Sequence, residues 1–424
     1  MNDNKCLFII PEIFIYCEKG ITMFNLEEFI NKYVTKRKKS MFRADIEANK
    51  ELLSEKIAGK TILVIGGAGS IGSSFIKAIL PFKPQTLVVV DINENGLAEL
   101  TRDLRSSTGM YVPEDYVPYP MNFASLVFEK MFRSRGGFDI VANFSAHKHV
   151  RSEKDIYSVE ALLKNNVLQA KKLLDLLAEI PPEEYFCVST DKAANPVNIM
   201  GASKRIMEDV IFLYSEKFPV KTARFANVAF SNGSLPAGFI ARLQKLQPIS
   251  APSDVKRYFV SPEESGQICM LSCMLGNNRE IFFPRLEEAQ MMTFDKIATA
   301  FLEEHGYEVL ECASDEEAID KAVELRNGSH KYPVHYSSSN TSGEKAYEEF
   351  YTETEKVDMN RLKSLGVVTD KDIPDKAKIE ALFNKLTNVF AKESTTKEEV
   401  VAIMADYLQN FEHIETGKSL DSKM

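Results

Sequence analysis

The chain has no C-x-x-C pair, and its six cysteines are scattered along 424 residues. Cys269 and Cys273 stand four apart in an apolar helical run and read as core, so disulfides are not expected and a reducing cytoplasm is. His147 and His149 have no cluster of Cys, His or carboxylate beside them in sequence, which gives no metal site. The one membrane-like stretch, "LFIIPEIFIY" near the N-terminus, is too short to span and is interrupted by Pro11 and Glu12. It also lacks the basic start and small-residue cleavage site of a signal peptide. A soluble protein without a membrane partner is expected. Long basic tracts are missing too, and the net charge of −9 argues against a nucleic-acid surface. The short run Lys36-Arg37-Lys38-Lys39 reads as a solvated helix face.

Hydrophobic residues make up 44% and charged residues 27%, ordinary for a globular chain long enough for two lobes. Residues 1–22 read as an upstream extension, and residues 24–60 as one or two helices packed on the outside of the next domain. An N-terminal part therefore covers 1–57. At Thr61 the pattern changes: "TILVIGGAGSIG", "TLVVVD", "FDIVANFSA", "YFCVST" and "VKTARFANV" are apolar, strand-like runs alternating with amphipathic helices. That alternation predicts an α/β fold, a doubly wound parallel sheet of Rossmann type, over 58–235. Residues 236–424 are expected to form a smaller mixed substrate-binding part. Helices are predicted around 262–276, 294–304 and 315–326, with a helical tail near 375–412 and an exposed loop at 338–345.

Gly66, Gly69 and Gly72 give G-x-x-G-x-x-G between a strand and a helix. Glycine there allows a tight turn, close backbone approach to a pyrophosphate and helix-on-strand packing; Ser70 and Ile71 in the turn are further candidate contacts, and the helix expected from Ser73 turns its N–H groups to the phosphates. Asp91 ends the second strand, placed to accept from the adenosine ribose hydroxyls and to repel a 2′-phosphate, which favours NAD over NADP. Asn93 is a further candidate contact. Asn122 and Phe123 are candidate adenine neighbours, and Ser145 and Ala146 should pass beside the nicotinamide half.

The stretch "VSTDKAANPVNIMGASKR" has the spacing of a Tyr-x-x-x-Lys pair, but Met200 stands where the phenol would be. A thioether cannot take a proton from a substrate hydroxyl. With the glycine turn and "STDKA", this stretch resembles the extended short-chain dehydrogenases that act on nucleotide sugars. "KHV" (148–150), "NNVLQAKKLL" (165–174), "RFANVAFSNGS" (224–234) and "RYF" (257–259) bring the resemblance closer to the bacterial UDP-N-acetylglucosamine 4,6-dehydratases of polysaccharide biosynthesis, from about Thr61 to Phe283. The N-terminal helices and acidic tail resemble a soluble subgroup found with legionaminic-type nonulosonic acid pathways.

That resemblance implies a nucleotide-sugar substrate and an internal hydride transfer, in which bound NAD takes hydride from C4 and returns it at C6. It implies Asp191 as acid and Lys192 as base for loss of water, Lys204 on the nicotinamide ribose, and Thr190 to orient the C4 hydroxyl. Methionine at position 200 goes with retention at C5. Asn227 and Arg257 match positions near the nucleotide diphosphate; His149, Glu153 and Asn166 are expected to line or support the sugar pocket, Asn166 equally as a structural helix residue. "EIFFPRL" departs from the family's usual strand, so the nucleotide end is expected to differ. A homo-oligomer is the expected state, and GDP in place of UDP stays open. A nucleotide-sugar 4-epimerase and a catalytically silent NAD-sensing regulator are the alternatives.

Overall fold

The computed structural model describes residues 14–17, 20–149, 153–339 and 348–414, with side chains from Phe24 onward. Its centre is a nine-stranded sheet. In spatial order the strands are Asp115–Pro120, Thr86–Asp91, Thr61–Ile65, Ile140–Asn143, Glu184–Thr190, Val220–Phe225, Glu280–Pro284, Leu365–Thr369 and Lys356–Asp358. Neighbours are parallel as far as Glu280–Pro284, and the last two strands run antiparallel. The sheet does not stop at residue 235, because three later segments extend its far edge.

Both faces of the sheet are covered, as continuous apolar strands require. Successive residues divide between two cores: Leu63, Ile65, Val88 and Val90 face one, and Ile62, Val64, Leu87 and Val89 the other. On the first face lie the helices Ala170–Glu179 and Ile199–Leu213, backed by a C-terminal pair, Lys376–Phe390 and Lys397–Tyr407. The second face holds Lys50–Ile57, Ser70–Ile79 and Pro262–Leu275, whose buried Cys269 and Cys273 are core.

A third apolar cluster joins Phe29, Ile30 and Val34 to Phe230, Phe239 and Phe301. It sits with a small parallel sheet ordered Ile249–Pro252, Lys331–Ser337, Glu308–Cys312. The N-terminal segment forms four short helical pieces, Leu26–Phe29, Ile30–Val34, Arg43–Ala48 and Lys50–Ile57, rather than one or two, and it reaches two clusters. Residues 36–39 are not a helix face. Arg37 leaves that loop to make a two-pronged bond to Glu264, at 2.8 and 2.6 Å, and donates to the Phe259 carbonyl. A fork–carboxylate fit of that kind explains why one member of a basic run turns inward. The helical stretch at 315–326 and the tail are each split in two. Of the loop predicted at 338–345, residues 340–345 lie outside the described residues.

Among the described residues no helix is long and apolar enough to cross a membrane. Among the charged groups that lie in the interior, one bridges two others. Arg224, fully buried on the strand Val220–Phe225, holds Glu208 of the helix Ile199–Leu213 at 2.8 and 2.7 Å, and Glu355 at 2.7 and 3.0 Å. Removing the cation alone would leave two carboxylates without their main partner. Arg224→Met should therefore cost about 3–5 kcal/mol of unfolding free energy by urea denaturation, and adding Glu208→Leu should recover part of it.

Candidate active site

The chain leaves the strand Thr61–Ile65 for one side of the sheet and returns to the other side as Ile140–Asn143, with Ile65 opposite Asn143. Ligands of open α/β sheets bind at such a switch point, beyond the carboxyl ends of the strands. The glycine turn is built there. Gly66 has φ +75°, and a Cβ on it would lie 2.6 Å from the Ser145 nitrogen; a Cβ on Gly72 would lie 2.4 Å from the Gly66 carbonyl oxygen. Both positions exclude a side chain. At Gly69 a Cβ would meet only the Gly66 oxygen, at 3.4 Å, so this face of the turn is clear for a close ligand. The Ser70 hydroxyl accepts from the Asn232 backbone at 2.8 Å and ties the turn to the loop after Val228. Ile71 packs against the core from the same helix.

The other residues expected at the cofactor have the following surroundings. Asp91 accepts from the Ala68 and Asn93 amides at 3.0 and 2.9 Å. Asn93 caps the next helix through Gly96. Asn122 bonds its own loop at Ala124, and the Phe123 ring is buried in the core. Ser145 donates its amide to Asn143, with Ala146 next in line. The turn, the acidic strand end and the clear face at Gly69 fit a dinucleotide.

Beside it, the strand Glu184–Thr190 ends in a single 3₁₀ turn, Asp191–Ala193. Thr190 donates its hydroxyl to Asp191 Oδ1 at 2.6 Å, and Lys192 Nζ lies 3.2 and 3.1 Å from the two carboxylate oxygens. Asp191 is buried and Lys192 partly exposed. A carboxylate with this many donors holds its lysine as an ion pair.

The next helix is pressed on that turn: a Cβ on Gly201 would lie 2.6 Å from the Lys192 carbonyl oxygen. Met200, in its first turn, is buried, and its amide donates to Glu153 at 2.9 Å. Lys204, one turn on, is buried too. Its ammonium donates to the Val188 carbonyl at 3.0 Å and lies 3.7 Å from the Met207 sulfur. Burial lowers its pKa to about 8, opposed by Cys187 and Glu208.

Of the residues expected around substrate, Asn166 spends its amide on both backbone groups of His147, at 2.9 Å each, and on Ser203 at 3.1 Å. It fixes the wall of the site. Glu153, at the helix start, supports the same wall. His149 lies against Gly233, where a Cβ would meet its Nε2 at 2.9 Å. Arg257 is buried and donates to the Lys256 carbonyl. Asn227 does not stand open: its amide donates to Glu348 at 2.6 Å. Glu348 is the residue that sequence reasoning missed. It comes after a polar stretch with no periodicity, and no motif points to it.

The chain matches the model of the polysaccharide biosynthesis protein family over residues 62–370. It belongs to that family. An uncharacterized membrane protein of Methanocaldococcus jannaschii is 27% identical over 80% of this chain and 94% of its own. A UDP-N-acetylglucosamine 4,6-dehydratase (inverting) of Campylobacter jejuni is 27% identical over 54% of this chain and 67% of its own, whereas the chain spans about two fifths of a capsular polysaccharide biosynthesis protein of Staphylococcus aureus and a probable polysaccharide biosynthesis protein of Bacillus subtilis. The X-ray structure of Pen from Bacillus thuringiensis shares the fold, with TM-score 0.60 and 18% identity over 78% of this chain and 98% of that one.

Lys204 gives the site a measurable cost. Its folded pKa lies below the 10.5 of an exposed lysine, so below about 8 the fold must hold an ammonium that the unfolded chain solvates better. Stability from this residue should rise with pH between about 8 and 10.5. Lys204→Met should add about 1–3 kcal/mol to unfolding free energy at neutral pH and flatten that rise in denaturation series.

Proposed function

We propose that this protein is an NAD-dependent nucleotide-sugar 4,6-dehydratase converting UDP-N-acetylglucosamine to the 4-keto-6-deoxy sugar with C5 configuration retained. The observation that carries this reading is the Asp191–Lys192 pair, held by Thr190 at the carboxyl end of a parallel strand beside the glycine turn. When bound, NAD supplies the group that accepts hydride from sugar C4 and gives it back at C6. Gly66, Gly69, Ser70, Ile71 and Gly72 would hold its diphosphate, and Asp91 with Asn93 the adenosine ribose. Asn122 and Phe123 would border the adenine, and Ser145, Ala146 and Lys204 the nicotinamide half. The C. jejuni relative named as a 4,6-dehydratase supports the reaction class.

The chain's own groups divide the remaining work. Thr190 orients the C4 hydroxyl and relays its proton along the hydrogen bond to Asp191. A ketone at C4 acidifies C5–H, and Lys192 as a neutral amine takes that proton. Asp191 as a carboxylic acid protonates the C6 hydroxyl, which leaves as water. Arg257 faces the diphosphate end, where a guanidinium fork suits the charge, and Asn227 stands near it. His149, with Glu153 and Asn166 behind it, frames the sugar. Met200 removes the phenol that a 4-epimerase on this fold would use, and with it an acid able to reach C5 from the opposite face.

Incubation with NAD and UDP-N-acetylglucosamine in deuterated buffer tests the reading. The expected early product is the 4-keto-6-deoxy sugar, gluco-configured and deuterated at C5, with no growth of free NADH. A 4-epimer would replace the reading, and early product inverted at C5 would remove the role given to Met200. Lys192→Ala should lower turnover by roughly 10²–10⁴-fold while NAD and substrate binding persist.

A further inference from the structure

The helical stretch after the strand Glu308–Cys312 turns an apolar row to solvent. Its two pieces, Asp315–Lys321 and Val323–Arg326, are joined by Ala322, whose φ of −65° keeps the helical turn. Residues four apart therefore stay in line across the join. Ala318, Ala322 and Leu325 are buried and hold the stretch to the fold. On the outside Ile319 and Val323, one turn apart, are 53% and 60% exposed. To one side lies the row of Ala322 and Arg326, and beyond it a groove of about 690 Å³ that reaches the end of the helix Leu235–Gln244. To the other side stand Glu316, Asp320 and Glu324, all exposed.

Charge is sorted across the apolar row. The charged residues of the groove are Arg242, Lys245 and Arg326, with no carboxylate among its walls. Among the described residues none of these three has an ion-pair partner, and neither have Glu316, Asp320 and Glu324. The acids between them are engaged within the chain: Glu317 holds Lys321 at 2.5 Å, and Asp315 bonds His335 at 2.6 Å. A surface with cations on one edge, an apolar row in the middle and acids on the other edge is complementary to itself.

We propose that this surface is where two copies of the chain pair, about a two-fold axis running along the Ile319–Val323 row. The pairing is independent of the reaction proposed above. Of the two ways to lay a two-fold axis in the contact plane, only one matches the charges. With the axis along the row, the two helical stretches lie parallel, and Ile319 and Val323 each meet their own counterpart. The acidic row of each copy then lies on the basic groove of the other. With the axis across the row the stretches would run antiparallel, and acids would face acids. Contact along the row removes from water two apolar side chains that a single copy leaves exposed, with Leu246 and Pro248 of the groove wall beside them.

Sedimentation of the full chain at micromolar concentration should give twice the chain mass. Reversing the groove, by Arg242→Glu with Lys245→Glu, should weaken self-association about tenfold or more, and so should reversing the acidic row, by Glu316→Lys with Asp320→Lys. An equimolar mixture of the two reversed proteins should pair at wild-type strength, because opposite charges then meet on both halves of the contact. Ile319→Cys and Val323→Cys, introduced separately, should each give an intermolecular disulfide under mild oxidation that the wild-type protein does not give, since parallel pairing sets each position opposite itself. A monomeric wild-type chain, which would leave the groove to an acidic partner of another kind, overturns the proposal. A dimer indifferent to both reversals does the same. Should a reversed protein fail to fold, the cysteine variants carry the test, and crosslinking at one position or at neither overturns the parallel two-fold.

Discussion

Arg224 lies fully buried with its guanidinium between two carboxylates, and the geometry of the site depends on that fork. One prong holds Glu208, whose Oε1 also accepts from the Ser189 hydroxyl at 2.6 Å, one residue before Thr190. The other holds Glu355, and the same guanidinium takes the Phe350 carbonyl. One cation thus ties together the strand that delivers the acid/base turn, the helix that carries Met200 and Lys204, and the segment that carries Glu348. A buried ion pair is weak evidence for stability as such. Its effect here is to fix register. The helix and the segment reach the guanidinium directly, and the strand reaches it through the Ser189 hydroxyl on Glu208, so displacement of the helix or the segment would unpair a buried charge.

Electrostatics inside the site follow from how deeply each group is placed. Lys204 has no carboxylate within bonding reach, only a carbonyl and a thioether, so burial pulls its proton affinity down towards neutrality. Lys192 is more exposed and is paired with Asp191. The two lysines thus have different surroundings, an ion pair with Asp191 in one case and a carbonyl and a thioether in the other.

The central fold was legible because its signals are local. A β-branched run, a glycine turn and an acid at the next strand end each depend on neighbours in sequence, and so does the Thr190-Asp191-Lys192 turn. What escaped reading depends on distant partners. Arg224 stands inside an apolar strand, and nothing local says that Glu208 and Glu355 would supply its counter-charge. Arg37 sits in a run whose other members look solvated, and only Glu264, far along the chain, draws it inward. The strands Lys356–Asp358 and Leu365–Thr369 join the sheet as an antiparallel edge after a long insertion, so no alternation of strand and helix announces them. For Asn166 and Glu153 the residue types were noticed, but their bonds to backbone groups of other elements are tertiary facts.

The C-terminal tail shows how the chain steadies the helix start that carries Met200. The helix Ile199–Leu213 begins with an Asn198 cap on the Gly201 amide, and Glu153 accepts from the Met200 amide beside it. A carboxylate at that end also suits the helix dipole. Glu153 is itself gripped from the tail: Lys397 donates to its carbonyl at 2.8 Å, and His413 Nε2 lies 3.5 Å from its Oε2. Ile414 donates its amide to Val197, just before the cap. The tail therefore clasps the loop and the first turn that carry Met200, so the backbone there stays fixed without a phenol. What remains free to vary at this position is the chemistry of one side chain, while the placement of Lys204 and the Asp191–Lys192 turn is secured from outside it.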